Sequence, residues 1–144
     1  MNVYRCIKIT DEVVQAFQKL IPQLDPDCSI PSREYLNELI LSDYLFLFLA
    51  EDEEITGSLT LIINQMPTGK KAWIEDVVVD KNNRGKGIGK KLIEFAIEFA
   101  RDKGISKIDL TSRPERVAAN ELYQKSGFKR RNTNVYRLEI NAIH

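Results

Sequence analysis

The chain reads as an α/β domain built on a mixed, mostly antiparallel sheet of six or seven strands. Three observations predict this. Apolar, β-prone runs at Tyr44 to Ala50, Ile55 to Ile63 and Lys71 to Val79 follow one another across short polar turns, as consecutive antiparallel strands do. From Trp73 to Ala100 a strand passes through a charged, glycine-rich turn into an amphipathic helix without a gap. A further apolar run, Ile105 to Thr111, returns after that helix and is expected to lie parallel to the Trp73 to Val79 strand.

The elements follow in order. Asn2 to Ile9, with Val3, Cys6, Ile7 and Ile9, is expected to be a first strand. Thr10 or Asp11 can cap a helix over Asp11 to Leu24, whose Val13, Val14, Phe17, Leu20 and Ile21 share one face, with Pro22 expected to end it early. After a loop over Asp25 to Ile30, Pro31, Ser32 and Glu34 suit the start of a helix through Tyr35, Leu36, Leu39 and Ile40. Acidic residues Glu51 to Glu54 turn the second strand into the third, and Asn64 to Lys70, with Pro67 and Gly69, turns the third into the fourth. Ile88, Leu92, Ile93, Phe95, Ala96, Phe99 and Ala100 form the apolar stripe of the central helix, which Gly104 closes. Another helix runs through Val117, Ala118, Leu122 and Tyr123 and stops at Gly127. Phe128 to Ile140 is expected to be a final strand or hairpin, turning at Asn132 to Asn134.

With 144 residues, no internal repeat and no long linker, residues 1–144 are expected to form a single domain. Lysine plus arginine and aspartate plus glutamate each total 21, so net charge is zero, which argues against bulk nucleic-acid binding. The basic run Lys125, Lys129, Arg130 and Arg131 has no interleaved aromatics to stack bases and reads as a solvated face. The apolar run Tyr44 to Ala50 is far too short to cross a bilayer. Two cysteines, Cys6 and Cys28, without a signal-peptide pattern, lead us to expect free thiols and a cytoplasmic setting. One histidine and two distant cysteines put no zinc cluster in view, so no metal is expected.

The chemistry centres on Arg84-Gly85-Lys86-Gly87-Ile88-Gly89, followed by Lys90 and Lys91. Glycine lets the main chain approach a ligand, and the N–H groups and positive end of a helix can converge on phosphate oxygens. The same spacing also suits a mobile loop or close helix packing. The dinucleotide fingerprint needs a strand directly before its first glycine, and a P-loop ends in lysine–serine or lysine–threonine, so neither fits. In the preceding strand Glu75 and Asp76 are adjacent acids among apolar residues, costly if both are buried. Either one serves as a base in a cleft, or both are solvated at a bent or bulged strand. Thr111, Ser112, Arg113 and Arg116 lie at the end of the parallel strand, where open α/β sheets often bind ligands, though helix capping or surface ion pairs account for the arginines equally well.

Arg84, Gly87 and Gly89 match the acetyl-CoA signature of the GNAT N-acetyltransferase superfamily: arginine or glutamine, two residues, glycine, one residue, glycine or alanine. Asn120-Glu121-Leu122-Tyr123-Gln124-Lys125-Ser126-Gly127-Phe128 matches a second feature of that family, and the order of elements fits nearly the whole chain. Ile74-Glu75-Asp76-Val77-Val78-Val79 also resembles the same strand of glucosamine-6-phosphate N-acetyltransferases. The resemblance implies the GNAT fold, with helices on both faces of the sheet, and acetyl transfer from acetyl-CoA to a primary amine, expected to be a small molecule. It implies that Val77, Val78 and Val79 offer backbone to the pantetheine arm, and that Arg84, Gly85, Lys86, Gly87, Ile88, Gly89 and Lys90 receive the pyrophosphate. Asn120 then lies near the cofactor arm, and Tyr123 is the general acid that returns a proton to the thiolate. Apart from the resemblance, their place at the end of the parallel strand makes Thr111 and Arg113 the expected acceptor-side residues, with the cofactor's phosphates as the other group Arg113 could meet. From the residues alone, Tyr123 is as readily a core residue with its hydroxyl at the edge. Glu75 is the first choice of base and Asp76 the amine-orienting alternative. A protein amine as acceptor, and a non-catalytic acyl-CoA-binding or regulatory module, stay open, as does a homodimer using Val135 to Ile140 as an exposed edge.

Overall fold

The structure is a computed structural model that describes residues 1–140. In chain order it contains β1 (Asn2–Arg5), α1 (Asp11–Leu24), α2 (Arg33–Ile40), β2 (Leu45–Asp52), β3 (Glu54–Met66), β4 (Gly69–Val79), α3 (Ile88–Asp102), β5 (Ile108–Asp109) and α4 (Val117–Lys125). The strands lie in sequence order in one sheet, antiparallel from β1 to β4, with β5 parallel to β4. The α/β class, the mixed sheet and the parallel return therefore agree with the sequence reading.

The number of strands does not. The sheet has five strands rather than six or seven. The missing ones belong to Phe128 to Ile140, which pairs with no strand among the described residues. Gly127, at φ 102°, turns the chain out of α4, and Phe128 is tied back by its N–H to the Tyr123 carbonyl at 3.0 Å. From Lys129 onward every described side chain is exposed.

Three boundaries also move. β1 ends at Arg5 because Cys6 and Ile9 turn into the core under α1 while Ile7 faces solvent. Pro22 does not end α1. It lies in the last turn, where its absent N–H removes a single ladder bond, and the Asp25 N–H still reaches the Ile21 carbonyl at 2.9 Å. The turn expected over Asn64 to Lys70 is tighter, since Met66 pairs directly with Gly69.

Each face of the sheet packs on helices, and the strand periodicity decides which residue goes where. Phe46, Phe48, Leu59, Leu61, Ala72 and Ile74 face α3, meeting Ile88, Leu92, Ile93 and Ala96. Leu47, Leu49 and Val78 face α1 and α2, meeting Val13, Phe17, Leu20 and Leu36. Thr10 and Ser32 cap those two helices through their hydroxyls. Gly57 lets the start of α3 sit close to β3. A Cβ there would lie 3.1 Å from Leu92 Cδ1 and from the Val78 carbonyl oxygen, and 3.2 Å from Ile88 Cγ2.

The end of β4 is pinned by a buried carboxylate. Asp80 is fully buried, and its N–H extends the ladder to the Thr56 carbonyl at 2.8 Å. Its Oδ1 accepts from Gln23 Nε2 and from the Asn82 N–H, each at 3.3 Å. Lys19 Nζ stands 2.6 Å from Oδ2, a contact of charge rather than a well-aligned hydrogen bond. Gln23 Oε1 also accepts the Lys81 N–H at 2.8 Å, so one turn of α1 holds both ends of the strand-to-turn junction. The Lys19 ammonium holds the Asp80 carboxyl below its ordinary value, outweighing the opposing effect of burial.

Two outcomes follow. Gly57→Val is expected to destabilise the fold by about 1–3 kcal/mol, because backbone and two core side chains must give way; an unchanged midpoint in urea would contradict this packing. For Asp80, the folded pKa lies below the unfolded one, so its contribution is present at neutral pH and fades as pH falls through the folded value. Asp80→Asn should therefore be less stable than wild type at neutral pH, with the gap narrowing below roughly pH 4. A gap of equal size at both pH values would remove the carboxylate's charge from the explanation.

Candidate active site

Two breaks in regular structure, both involving β4, build the site. The first is a β-bulge. Ser58 pairs with Val78 and Thr60 with Glu75, so β4 carries one residue more than β3 between these pairs. Asp76 takes up the excess in left-handed backbone, φ 51°, which non-glycine residues seldom adopt. The bulge shifts the alternation by one: Ala72 and Ile74 face α3 before it, and Val77 and Val79 face α3 after it. Val78 is thereby sent to the other side.

The second break is between β4 and β5. They pair only at Ala72 with Ile108 and at Trp73 with Asp109. From Ile74 to Val79 the edge of β4 facing β5 has no strand partner among the described residues. Main-chain donors and acceptors are left there for something other than a strand.

The glycine turn opens at the end of this free edge. Gly85 and Gly87 have φ of 82° and 78°, and a Cβ on either would point into open space, so these two glycines answer to backbone conformation alone. Gly89 answers to space, since a Cβ there would stand 3.2 Å from Leu122 Cδ2. Gly87 precedes α3 without a side-chain cap, and α3 has no acidic residue in its first turn. The first helical N–H groups therefore lack intrahelical acceptors and face outward with the positive end of the helix. Arg84, Lys86 and Lys90 are exposed around them, and Arg84 Nε donates to the Val79 carbonyl at 3.2 Å. Lys86 shares an open hollow of about 430 Å³ with Asn83 and the acidic hairpin Asp52, Glu53 and Glu54. These features fit a diphosphate: uncapped N–H groups, no carboxylate in the first helical turn, and glycines that keep the backbone approachable.

Tyr123 sits on α4, only 7% exposed, with its ring edge-on to Phe128 at 6.1 Å between centroids. Burial pushes its phenol pKa up, partly offset by Arg116. It packs in the core cluster on the α3 face. Glu75 lies on the opposite face, half-buried, where its carboxylate accepts the Trp73 indole N–H. Asp76 is reached by solvent at the bulge, yet the protein around it removes enough hydration to push its carboxyl pKa up. Neither acid is fully buried, which removes the costliest arrangement considered for this pair.

The remaining residues are more scattered. Asn120 Nδ2 donates to the Arg113 carbonyl at 2.9 Å, holding the loop that carries Arg113 onto α4. Thr111 and Arg113 are exposed beyond β5, while Ser112 Oγ between them is buried without a hydrogen-bond partner. What the sequence did not reveal is Asp80, which reads there as an ordinary turn residue. Its partners Lys19 and Gln23 lie far away in sequence, and only the polar break after an apolar strand marks the position.

Among the described residues no helix is long and apolar enough to cross a membrane. The model of the acetyltransferase (GNAT) family matches residues 9–128. Human N-acetyltransferase 8B is 29% identical over 128 residues, covering 84% of this chain and 55% of that protein. Glucosamine 6-phosphate N-acetyltransferase of Trypanosoma brucei brucei is 42% identical over 78 residues, covering 52% of this chain and 51% of its own length. The chain thus spans about half the length of these curated relatives. Among solved structures, glucosamine-6-phosphate N-acetyltransferase from Arabidopsis thaliana superposes with a TM-score of 0.78 at 24% identity, covering 96% of this chain and 99% of that one. An aminoglycoside acetyltransferase from an uncultured soil metagenomic sample superposes with a TM-score of 0.83 at 22% identity, covering 97% and 98%. At these identities the likeness speaks to the fold, and the match to most of the chain by the family model speaks to descent. The chain belongs to the GNAT family of acetyltransferases.

Proposed function

We propose that the protein transfers the acetyl group of acetyl-CoA to a primary amine of a small molecule. The observation that carries this reading is the free edge of β4 from Ile74 to Val79, running directly into an uncapped, glycine-rich helix start. Val77, Val78 and Val79 would offer backbone groups to the pantetheine amides. The N–H groups from Arg84 to Lys90 would receive the pyrophosphate, with Arg84, Lys86 and Lys90 adding charge.

Acetyl-CoA supplies the activated thioester. The protein's own residues supply proton handling and position. An ammonium must lose a proton before it can attack, and Glu75 is the proposed base. It lies on the face of the sheet that α1 and α2 cover, and the Trp73 indole holds its carboxylate. Asp76, on the bulge, would orient the amine. N–H groups near Val79 would stabilise the oxyanion as the carbonyl is attacked. Tyr123, kept protonated by burial, would return a proton to the leaving thiolate. Tyr123 and Glu75 belong to opposite faces, so the reaction would run through the gap where β4 and β5 part. No covalent enzyme intermediate is needed.

For the acceptor, the relatives named for glucosamine 6-phosphate and the fold neighbours named for aminoglycosides support a polar amino sugar or a similar amine. Thr111 and Arg113, exposed beyond β5, would border it. One observation favours a different reading. Tyr123 is mostly buried against Phe128, as a structural tyrosine would be, which suits a module that binds acyl-CoA without catalysis.

Thiol release from acetyl-CoA across a panel of amino sugars, aminoglycosides, polyamines and peptide amines separates these readings. The transferase reading expects release with at least one amine. Binding of acetyl-CoA with no release across the panel would establish the binding module instead. Tyr123→Phe is expected to lower kcat by about 10²–10⁴-fold while leaving acetyl-CoA affinity nearly unchanged. Glu75→Gln should lower kcat over a similar range, on the order of 10²-fold or more. If Asp76→Asn loses the activity and Glu75→Gln keeps it, the roles assigned to the two acids are reversed.

A further inference from the structure

Gly89 stands where three parts of the candidate site meet. It is the second residue of α3, and the Gly87 carbonyl takes the Lys91 N–H at 3.1 Å. The Gly89 N–H therefore lies before the first rung of the helical ladder, among those suited to a diphosphate. The direction a side chain would take from Gly89 leads to α4 and to the free edge of β4. A Cβ there would stand 3.2 Å from Leu122 Cδ2 and 3.8 Å from Val79 Cγ2. Gly89 is helical and not left-handed, unlike Gly85 and Gly87, so it is the Leu122 side chain that leaves no room for a methyl group.

Leu122 is also the neighbour of Tyr123 on α4. Asn120 ties the first half of that helix to the Arg113 carbonyl at 2.9 Å, and beyond its last turn the Phe128 N–H returns to the Tyr123 carbonyl at 3.0 Å. Between these two ties Leu122, partly buried, seats α4 on the start of α3. A short helix moves as a unit, so a shift of Leu122 carries the Tyr123 phenol with it. Proton transfer is sensitive to such shifts, a misplacement of about 1 Å costing on the order of 10²-fold in rate.

We propose that Leu122 is a positioning residue: resting on Gly89, it sets the Tyr123 hydroxyl against the helix start that receives the donor's diphosphate. Gly89 then does two things at once, offering its N–H to the ligand and its bare Cα to Leu122. A diphosphate that orders the start of α3 orders the seat of α4, and through it the proton donor. The diphosphate half of the donor, remote from the thioester, thereby contributes to turnover as well as to affinity. The inference rests on the acetyl-CoA reading of the site and adds to it a link between two of its parts.

The test uses the full chain and ADP, which carries a diphosphate but no pantetheine arm to run along β4 toward the reaction site. In protein labelled with 13C-tyrosine, the Tyr123 signal is assigned by its loss in Tyr123→Phe. Excess ADP should shift that signal in wild type and leave it in place in Leu122→Ala. A signal that ADP leaves unmoved in wild type, or moves equally in Leu122→Ala, overturns the coupling. Unmoved amide signals from Gly87 to Lys90 would instead dismiss the diphosphate site on which the inference rests. These readings need no turnover. Should Leu122→Ala not fold, a paired exchange decides, since Gly89→Ala adds one carbon and Leu122→Val removes one. Gly89→Ala is expected to lower kcat at saturating acetyl-CoA about tenfold, with the Kd for CoA within about twofold of wild type. Adding Leu122→Val should bring kcat back to within about threefold of wild type. A double variant no faster than Gly89→Ala, or a Gly89→Ala that loses affinity and keeps kcat, would overturn the role of Leu122.

Discussion

β4 cannot keep hydrogen-bonded neighbours on both edges and also open a site, and the rest of the structure accommodates that constraint. On its β3 side the bulge at Asp76 inserts a residue and turns the alternation of side chains over. On its β5 side pairing stops at Trp73 and Asp109. The unpaired main chain beyond that point is polar and cannot be left in a dry interior. It is tolerable because the edge faces a gap that water or a ligand can fill. The two cores on either side make up for the lost ladder by packing β4 between α3 and the α1–α2 pair.

A strand opened in this way needs a firm end, and the firmness comes from charge. Asp80 takes one negative charge fully into the protein immediately after Val79, with Lys19 beside it and Gln23 joining it to the next residue. After this buried anion the chain becomes cationic and turns through left-handed backbone, with Arg84, Lys86 and the glycines Gly85 and Gly87. A rigid acidic junction followed by a permissive basic turn is a sensible order for an anion site. The junction fixes where α3 begins, and the turn leaves its backbone exposed beside the helix start. Gly57 serves the same placement from beneath, by letting Ile88 and Leu92 approach β3 closely.

The parts that were legible in the sequence are those written in local pattern. The hairpin strands β2 to β4, the caps at Thr10 and Ser32, the amphipathic α3 and the parallel return all follow from periodicity and capping chemistry. The glycine turn and Tyr123 were legible as residues, and the turn's geometry suits the ligand proposed for it. Features set by distant partners were not legible. The Lys19–Asp80 pair joins positions on different elements, and Pro22 reads as a helix end unless its place in the last turn is known. Val135 to Ile140 alternates like a strand, yet no pattern within it can say whether an edge is within reach.

Acetyl-CoA is proposed to bind along the free edge of β4 and at the helix start beyond it. Amide hydrogen exchange, measured with and without saturating acetyl-CoA, tests it residue by residue. Added protection is expected at Val77 to Val79 and from Gly85 to Lys90, with little change in β2 at Leu45 to Asp52. Saturation of the protein by acetyl-CoA without added protection at either stretch would contradict the account.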